Sequence, residues 1–151
     1  VLIFFWFIGL KIFSSQECRF SYRESIFKSF HSPIIWSAKL RVPRGDPKVI
    51  QDTIEQLLKK RIETQPHIRT AGSCFKAIGG VPAWQRIDKA NLRGSSIGGI
   101  EISKKHANFL LNTGNGVFQD AVDIVDKVKT SCGEDLEVEM RFVKNDGTLE
   151  F

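Results

Sequence analysis

The chain predicts an α+β fold: a mixed or antiparallel sheet with helices packed on one side. Three observations predict it. Two segments, Asp46 to Glu63 and Val117 to Thr130, repeat apolar residues at the spacing of a helix face. Leu136 to Val143 alternates strictly between apolar and charged residues, the period of a half-buried strand. The segments run in the order strands, helix, strands, helix, strand, which fits a layered α+β arrangement rather than a bundle or a barrel.

Composition sets the outer limits. The 151 residues, 42% hydrophobic and 26% charged, are ordinary for a folded domain or for one domain with part of another. The formal net charge of +5 favours anionic partners in general. The cations are dispersed, however, with Lys59-Lys60-Arg61 the longest run, and they are not interleaved with aromatics as single-stranded nucleic-acid grooves require. No nucleic-acid partner is expected. Cys18, Cys74 and Cys132 are odd in number and lack C-x-x-C spacing, so no disulfide framework or zinc site is expected.

The elements follow in order. Val1 to Ile8 is strongly apolar but too short to span a bilayer as a helix, so it reads as a buried strand. Gly9 reads as a turn and Ile12 as part of a second strand; no membrane partner is expected. The chain begins with Val rather than Met, and the reading is of a piece of a larger protein. Cys18 to Phe30 mixes aromatics and charges without a period, as a loop or short helix would. Pro33 to Val42 alternates loosely and reads as a strand closed by Pro43-Arg44-Gly45.

Asp46 suits an N-cap and Pro47 the first helical position. The helix that follows places Ile50, Ile54, Leu57, Leu58 and Ile62 on one face. Thr70 to Pro82 is Gly-rich and reads as irregular, and Ala83 to Leu92 as a short helix stopped by Gly94. Ser95 to Glu101 reads as a short strand beside a close backbone approach at Gly98-Gly99. Ala107 to Leu111 is a buried strand. The second long helix carries Val117, Ala121, Ile124, Val125 and Val128 on one face and ends at Gly133. Asn145-Asp146-Gly147 is a turn.

Within this frame Ala71-Gly72-Ser73 places two small residues before a serine, a tight turn able to present a hydroxyl. Four separated segments then carry a family resemblance. They are Phe20-Ser21-Tyr22-Arg23-Glu24-Ser25-Ile26-Phe27-Lys28; Ala71-Gly72-Ser73-Cys74-Phe75-Lys76; Ser103-Lys104-Lys105-His106-Ala107-Asn108-Phe109; and Leu136-Glu137-Val138-Glu139-Met140-Arg141. In this order they resemble the UDP-N-acetylenolpyruvoylglucosamine reductase (UDP-N-acetylmuramate dehydrogenase) family in its C-terminal, substrate-binding portion. Ala83 to Gly94 is similar to a further stretch. The departures are Ala77 and Ile78 where the family has Asn and Pro, Trp84 for a small residue, Asn91 for Gly and Val138 for Pro.

The resemblance implies residues 1–43 as the tail of an FAD-binding domain and 44–151 as the substrate-binding domain. It implies FAD and NADPH as cofactors, a UDP-sugar substrate, a monomeric intact enzyme, and a cytoplasmic location, or a plastid one in a eukaryote with plastids. It implies Ser73 as proton donor, with Arg23 and Glu139 stabilising the intermediate. Tyr22 and Arg23 fall on the cofactor side, and Lys76, His106 and Asn108 on the substrate side. Those residue types suit the chemistry. Hydride addition to an α,β-unsaturated carboxylate leaves an enolate-like dianion, which a guanidinium fork stabilises. The α-carbon then needs a proton from a group held close to it. His106 reads as a hydrogen-bonding structural histidine and Cys74 as a packing residue. No glycine-rich flavin loop precedes Glu17, so the alternative expectation is a catalytically silent fragment that at most binds UDP-sugars.

Overall fold

A computed structural model of the chain describes residues 1–5, 9–30, 33–67 and 69–150, without the side chains of residues 4, 5 and 150. By its internal contacts the chain divides into Val1–Asp46 and Pro47–Phe151. Among the described residues no helix is long and apolar enough to cross a membrane.

The first unit is a small antiparallel sheet of β1 (Leu2–Phe5), β2 (Gly9–Ile12) and β3 (Ile34–Ser37), in the order β2-β1-β3. The expected strand over Val1 to Ile8 is present as β1, and its last three residues lie outside the described set. Gly9 opens β2 opposite Phe5. Ile3, Phe13 and Cys18 form the unit's core, with Ile26, Phe27 and Phe30 packed on it. The strand expected over Pro33 to Val42 stops at Ser37, and residues 38–46 have no regular structure. All four residues of β3 are exposed, so no buried face extends it.

The second unit begins with α1 (Pro47–Thr64), close to the span that its spacing predicts. Its apolar face is not buried: Ile50, Ile54, Leu57, Leu58 and Ile62 are 45–61% exposed. The sheet that follows is antiparallel throughout, in the order β4-β7-β6-β5, from β4 (Thr70–Ser73), β5 (Ser96–Ile97), β6 (Ile100–Ile102) and β7 (Phe109–Asn112). The helices α2 (Ala83–Lys89) and α3 (Phe118–Cys132) pack on each other, and α3 packs on β5 and β6. This is the expected α+β arrangement. The hairpin β8 (Phe142–Val143) and β9 (Leu149–Glu150) closes the described chain.

The apolar spacing of α3 has its predicted consequence. Ile124, Val125 and Val128 are fully buried against Ile87 of α2, Ile100 and Ile102 of β6, and Leu136. Each such side chain contributes about 1.5–3 kcal/mol by leaving water. Arg86 ties the helices at their rim. Its guanidinium donates to the Cys132 carbonyl (3.1 Å from Nε) and to both Asp135 oxygens (2.9 and 2.7 Å).

Four expectations need correction. Thr70 to Ser73 is a strand, not irregular, because its pairing to β7 tolerates a bulge. Ser95 to Glu101 is a hairpin turning on Gly98-Gly99, rather than one strand. Gly99 is forced by space, since a Cβ there would collide with the Gly116 backbone; Gly98 is demanded by its φ of +50°, and a Cβ there would also displace the Asp120 carboxylate. The second helix ends at Lys89, before Leu92. Leu136 to Val143 alternates in burial at its two ends only, since Glu139 is half-buried like Val138 and Met140, and only Phe142–Val143 is regular strand; Val138 makes an isolated bridge to Phe75.

The contrast between α3 and α1 yields a stability prediction. Ile124→Ala should cost about 2–5 kcal/mol in urea denaturation. Leu57→Ala, on the exposed face, should stay within about 0.5 kcal/mol. Equal losses at the two sites would contradict the core assignment.

Candidate active site

Ser73 is positioned by a defect in pairing. Between Thr70↔Leu111 and Ser73↔Phe109, β4 has one residue more than β7. The extra residue bulges at Ala71-Gly72, with Gly72 at φ +88°. A Cβ there would meet nothing within 4 Å, so backbone conformation rather than space demands glycine. The two small residues thus form a bulge rather than the expected turn. Ser73 is exposed, while Cys74 and Phe75 on its C-terminal side are buried.

From Ser73 the chain runs between two neighbours. On one side the Cys74 N–H donates to the Asn108 carbonyl (2.9 Å). The Phe75 N–H donates to Asn108 Oδ1 (2.9 Å), and Asn108 Nδ2 donates to the Phe75 carbonyl (2.9 Å). On the other side the Glu139 N–H donates to the Cys74 carbonyl (2.7 Å), and the Lys76 N–H to the Glu137 carbonyl (2.9 Å). Lys76 and Glu137 also form an ion pair between their side chains.

Glu139, 66 residues further along, is therefore hydrogen-bonded through its backbone to the residue after Ser73. It is half-buried. Its carboxylate is felt at Cys74: burial chiefly pushes that thiol up to about 11, and the Glu139 charge adds to the rise, against a backbone hydrogen bond at Leu110. Cys74 is thus a buried protonated thiol at neutral pH, as its reading as a packing residue requires.

Asn108 is buried and has both side-chain polar atoms engaged with Phe75. His106 Nδ1 accepts the Asn108 N–H (3.2 Å), and its ring meets Phe109 edge-on (4.7 Å between centroids) and Trp84 (6.4 Å). Burial first, and then the Arg93 charge, lower the His106 pKa; Asp88 and a backbone hydrogen bond oppose them. Arg93 and Asp88 are themselves paired.

Beside the bulge lies an open cleft of about 620 Å³, lined by Leu58, Arg61, Ile62, Pro66, His67, Thr70, Ala71, Gly72 and Phe109. Sequence reasoning missed Arg61 and His67 as cleft residues and Glu137 as the Lys76 partner. The alternation of Glu137 with Leu136 and Val138 marked it as outward-facing, but a strand pattern does not name the strand across from it.

Tyr22 and Arg23 belong to the first unit. Ser21 and Glu24 exchange backbone hydrogen bonds (3.1 and 3.2 Å), leaving Tyr22 and Arg23 at the tip of a two-residue turn. Arg23 has φ +57°, a conformation that costs a non-glycine residue roughly 1–2 kcal/mol and clusters at functional sites. Its guanidinium lies 5.2 Å from the Tyr22 ring centroid. Lys28 donates to the Arg23 carbonyl and pairs with Glu24 (2.9 Å), bracing the turn.

Two of the departures from the resembled family, Asn91 and Ile78, have local explanations. Asn91 has φ +56°, and asparagine enters that left-handed region more readily than other side-chain-bearing residues. Ile78 packs on the core and pairs with Val81 across Gly79-Gly80.

The lowered His106 pKa sets a pH dependence. A histidine harder to protonate when folded contributes stability that is fully present above its unfolded value, about 6.5, and lost as pH falls through the folded value. The urea midpoint should therefore fall between pH 7.5 and 5, and His106→Gln should flatten that fall. The lowered carboxylates Asp88 and Asp120 act only at more acidic pH, below about 4. An equally steep fall in the variant would contradict the burial of the ring.

Comparison with known proteins accords with this geometry. The sequence profile of the family described as "UDP-N-acetylenolpyruvoylglucosamine reductase, C-terminal domain" matches residues 63–143, more than half of the chain. UDP-N-acetylenolpyruvoylglucosamine reductase of Carboxydothermus hydrogenoformans is 39% identical over 80% of this chain and 40% of its own length. The protein of the same name from Lactococcus lactis is 37% identical over 89% of this chain and 46% of its own length. The chain therefore spans less than half the length of these relatives. The crystal structure of UDP-N-acetylenolpyruvylglucosamine reductase (MurB) from Thermus caldophilus superposes with a TM-score of 0.77 at 26% identity, covering 91% of this chain and 50% of that one. The chain belongs to the UDP-N-acetylenolpyruvoylglucosamine reductase family, through that family's C-terminal domain.

Proposed function

We propose that this chain is the substrate-binding part of a flavin-dependent reductase that converts UDP-N-acetylglucosamine enolpyruvate to UDP-N-acetylmuramate with NADPH, in peptidoglycan precursor synthesis. The observation that carries the reading is the backbone hydrogen bond, beside the isolated Phe75–Val138 bridge, that sets Glu139 against the residue after Ser73. Lys76, three residues on, adds a cation.

The reaction adds a hydride to the β-carbon of the enolpyruvyl group and a proton to its α-carbon. A flavin, when bound, supplies the hydride. In this reading Ser73 delivers the proton to the α-carbon from the exposed end of β4. Glu139 orients that hydroxyl or shares its proton. Arg23 offers its guanidinium to the substrate carboxylate, where the dianion gathers charge. The cleft beside Gly72, apolar with Arg61 and His67 in its lining, suits part of a sugar nucleotide.

The described residues fit the flavin as a contact. The Tyr22 ring and the Arg23 guanidinium, side by side at a turn tip, offer a flat apolar face and a cation. A dinucleotide pyrophosphate often sits at a glycine-flanked helix N-terminus. At Gly98-Gly99 and α3 that place is taken by the Asp120 carboxylate, which accepts from the Gly99 N–H (3.0 Å) and the Val117 N–H (3.1 Å).

A second reading, a catalytically silent UDP-sugar binder, is favoured by Ala77, whose methyl stands where the family carries an amide. The experiment joins this chain to the portion of the Carboxydothermus relative that it does not match. The product should oxidise NADPH in dependence on the enolpyruvyl sugar nucleotide. Ser73→Ala should slow reduction of the sugar by at least about a hundredfold, the low end for loss of a proton donor, and leave flavin reduction by NADPH unchanged. Normal turnover by Ser73→Ala would remove Ser73 from the mechanism. Binding of UDP-N-acetylglucosamine without any turnover would favour the silent binder.

A further inference from the structure

The most committed polar side chain near the bulge is that of Asn108. It is 7% exposed, and Phe75, its partner, is 2% exposed, so water does not compete for either. The regular β4–β7 ladder ends at Ser73↔Phe109. One residue beyond it, the Asn108 amide accepts from the Phe75 N–H and donates to the Phe75 carbonyl, both at 2.9 Å. The side chain thus makes the pair of bonds that a strand residue would make. Its own carbonyl meanwhile accepts the Cys74 N–H (2.9 Å).

The turn that carries Asn108 is itself fixed. His106 Nδ1 accepts the Asn108 N–H (3.2 Å). The buried Ser103 hydroxyl accepts the N–H groups of Lys105 (3.1 Å) and His106 (3.3 Å). All three polar side chains of Ser103, His106 and Asn108 make hydrogen bonds to nearby backbone.

We propose that Asn108 is a positioning residue, a buried amide clamp on Phe75 that fixes the backbone from which Ser73 presents its hydroxyl. The clamp stands on geometry alone; its consequence for turnover rests on the reading of Ser73 as proton donor. Residue type matters here. A leucine fills the volume but leaves the Phe75 N–H and carbonyl unpaired in a dry site. An aspartate carboxylate still accepts from the N–H but turns a lone pair toward the carbonyl. A protonated aspartic acid restores one donor and one acceptor.

That last point gives a readout that packing alone would not move. The titratable groups flanking the clamp are His106 on its own turn, Cys74 across from it and Glu139 on the segment bridged to Phe75 through Val138. Hydrogen exchange by NMR, expressed as protection of the Phe75 amide, is measured in the chain with Asn108→Leu, Asn108→Asp and Ser73→Ala. Asn108→Leu should lose protection at Phe75 by about tenfold or more, the equivalent of one net hydrogen bond. In Asn108→Asp at pH 8 the N–H still has its acceptor, but repulsion between the carboxylate and the Phe75 carbonyl should open the segment and lower protection below wild type, with recovery as the acid protonates. Ser73→Ala should stay protected.

Wild-type protection in Asn108→Leu, or no recovery in Asn108→Asp on acidification, overturns the clamp. Should Asn108→Leu fail to fold, the pH series of Asn108→Asp decides alone. In the joined enzyme Asn108→Leu should lower kcat with KM little changed; unchanged kcat would overturn the positioning role. Normal turnover by Ser73→Ala would instead strike the proton-donor reading and leave the exchange result standing.

Discussion

The second unit depends on how residues 73–76 are held. Ser73 is exposed, and the buried or half-buried residues 74–76 after it run between Asn108 on one side and Glu137 to Glu139 on the other, held by backbone and amide hydrogen bonds and by the Lys76–Glu137 ion pair. Such bonds contribute modestly when made and cost heavily when a buried partner is left unpaired. Loss of a single partner here therefore leaves a buried backbone group unpaired. The bulge exposes Ser73, and the bridge beyond it sets the Glu139 backbone against Cys74.

The same economy runs through the rest of the unit. Asp120 serves both the Gly98-Gly99 hairpin and the start of α3, accepting from Gly99 and from Val117. Those bonds hold its carboxyl below the usual carboxylate range. Arg86 closes the end of α3 by donating to Cys132 and Asp135. Helices and sheet are thus coupled by a few polar groups at the edges and by Ile87, Ile102, Ile124 and Val128 in the middle.

Much of this was legible in the residues. The helix face of α3 predicted the burial of Ile124, Val125 and Val128, and the alternation from Leu136 to Phe142 predicted that of its two ends but not the half-burial of Glu139. The span of α1 was legible too, from Asp46, Pro47 and its apolar stripe, but not the exposure of that stripe, which depends on partners the spacing does not name. β4 was not legible as a strand, since Ala71-Gly72 lowers strand propensity and a bulge breaks the period. The role of Asn108 was hidden as well. A motif marks the residue, whereas its bonds to Phe75 arise only when two segments 33 residues apart are packed together.

The central claim is that Glu139 pairs with the backbone just after Ser73. Its most direct measurement is the NMR coupling across a hydrogen bond from the Glu139 amide nitrogen to the Cys74 carbonyl carbon. The account predicts a resolved coupling and a slowly exchanging Glu139 amide. No coupling, with a Glu139 amide exchanging as fast as that of an unstructured residue, would contradict it.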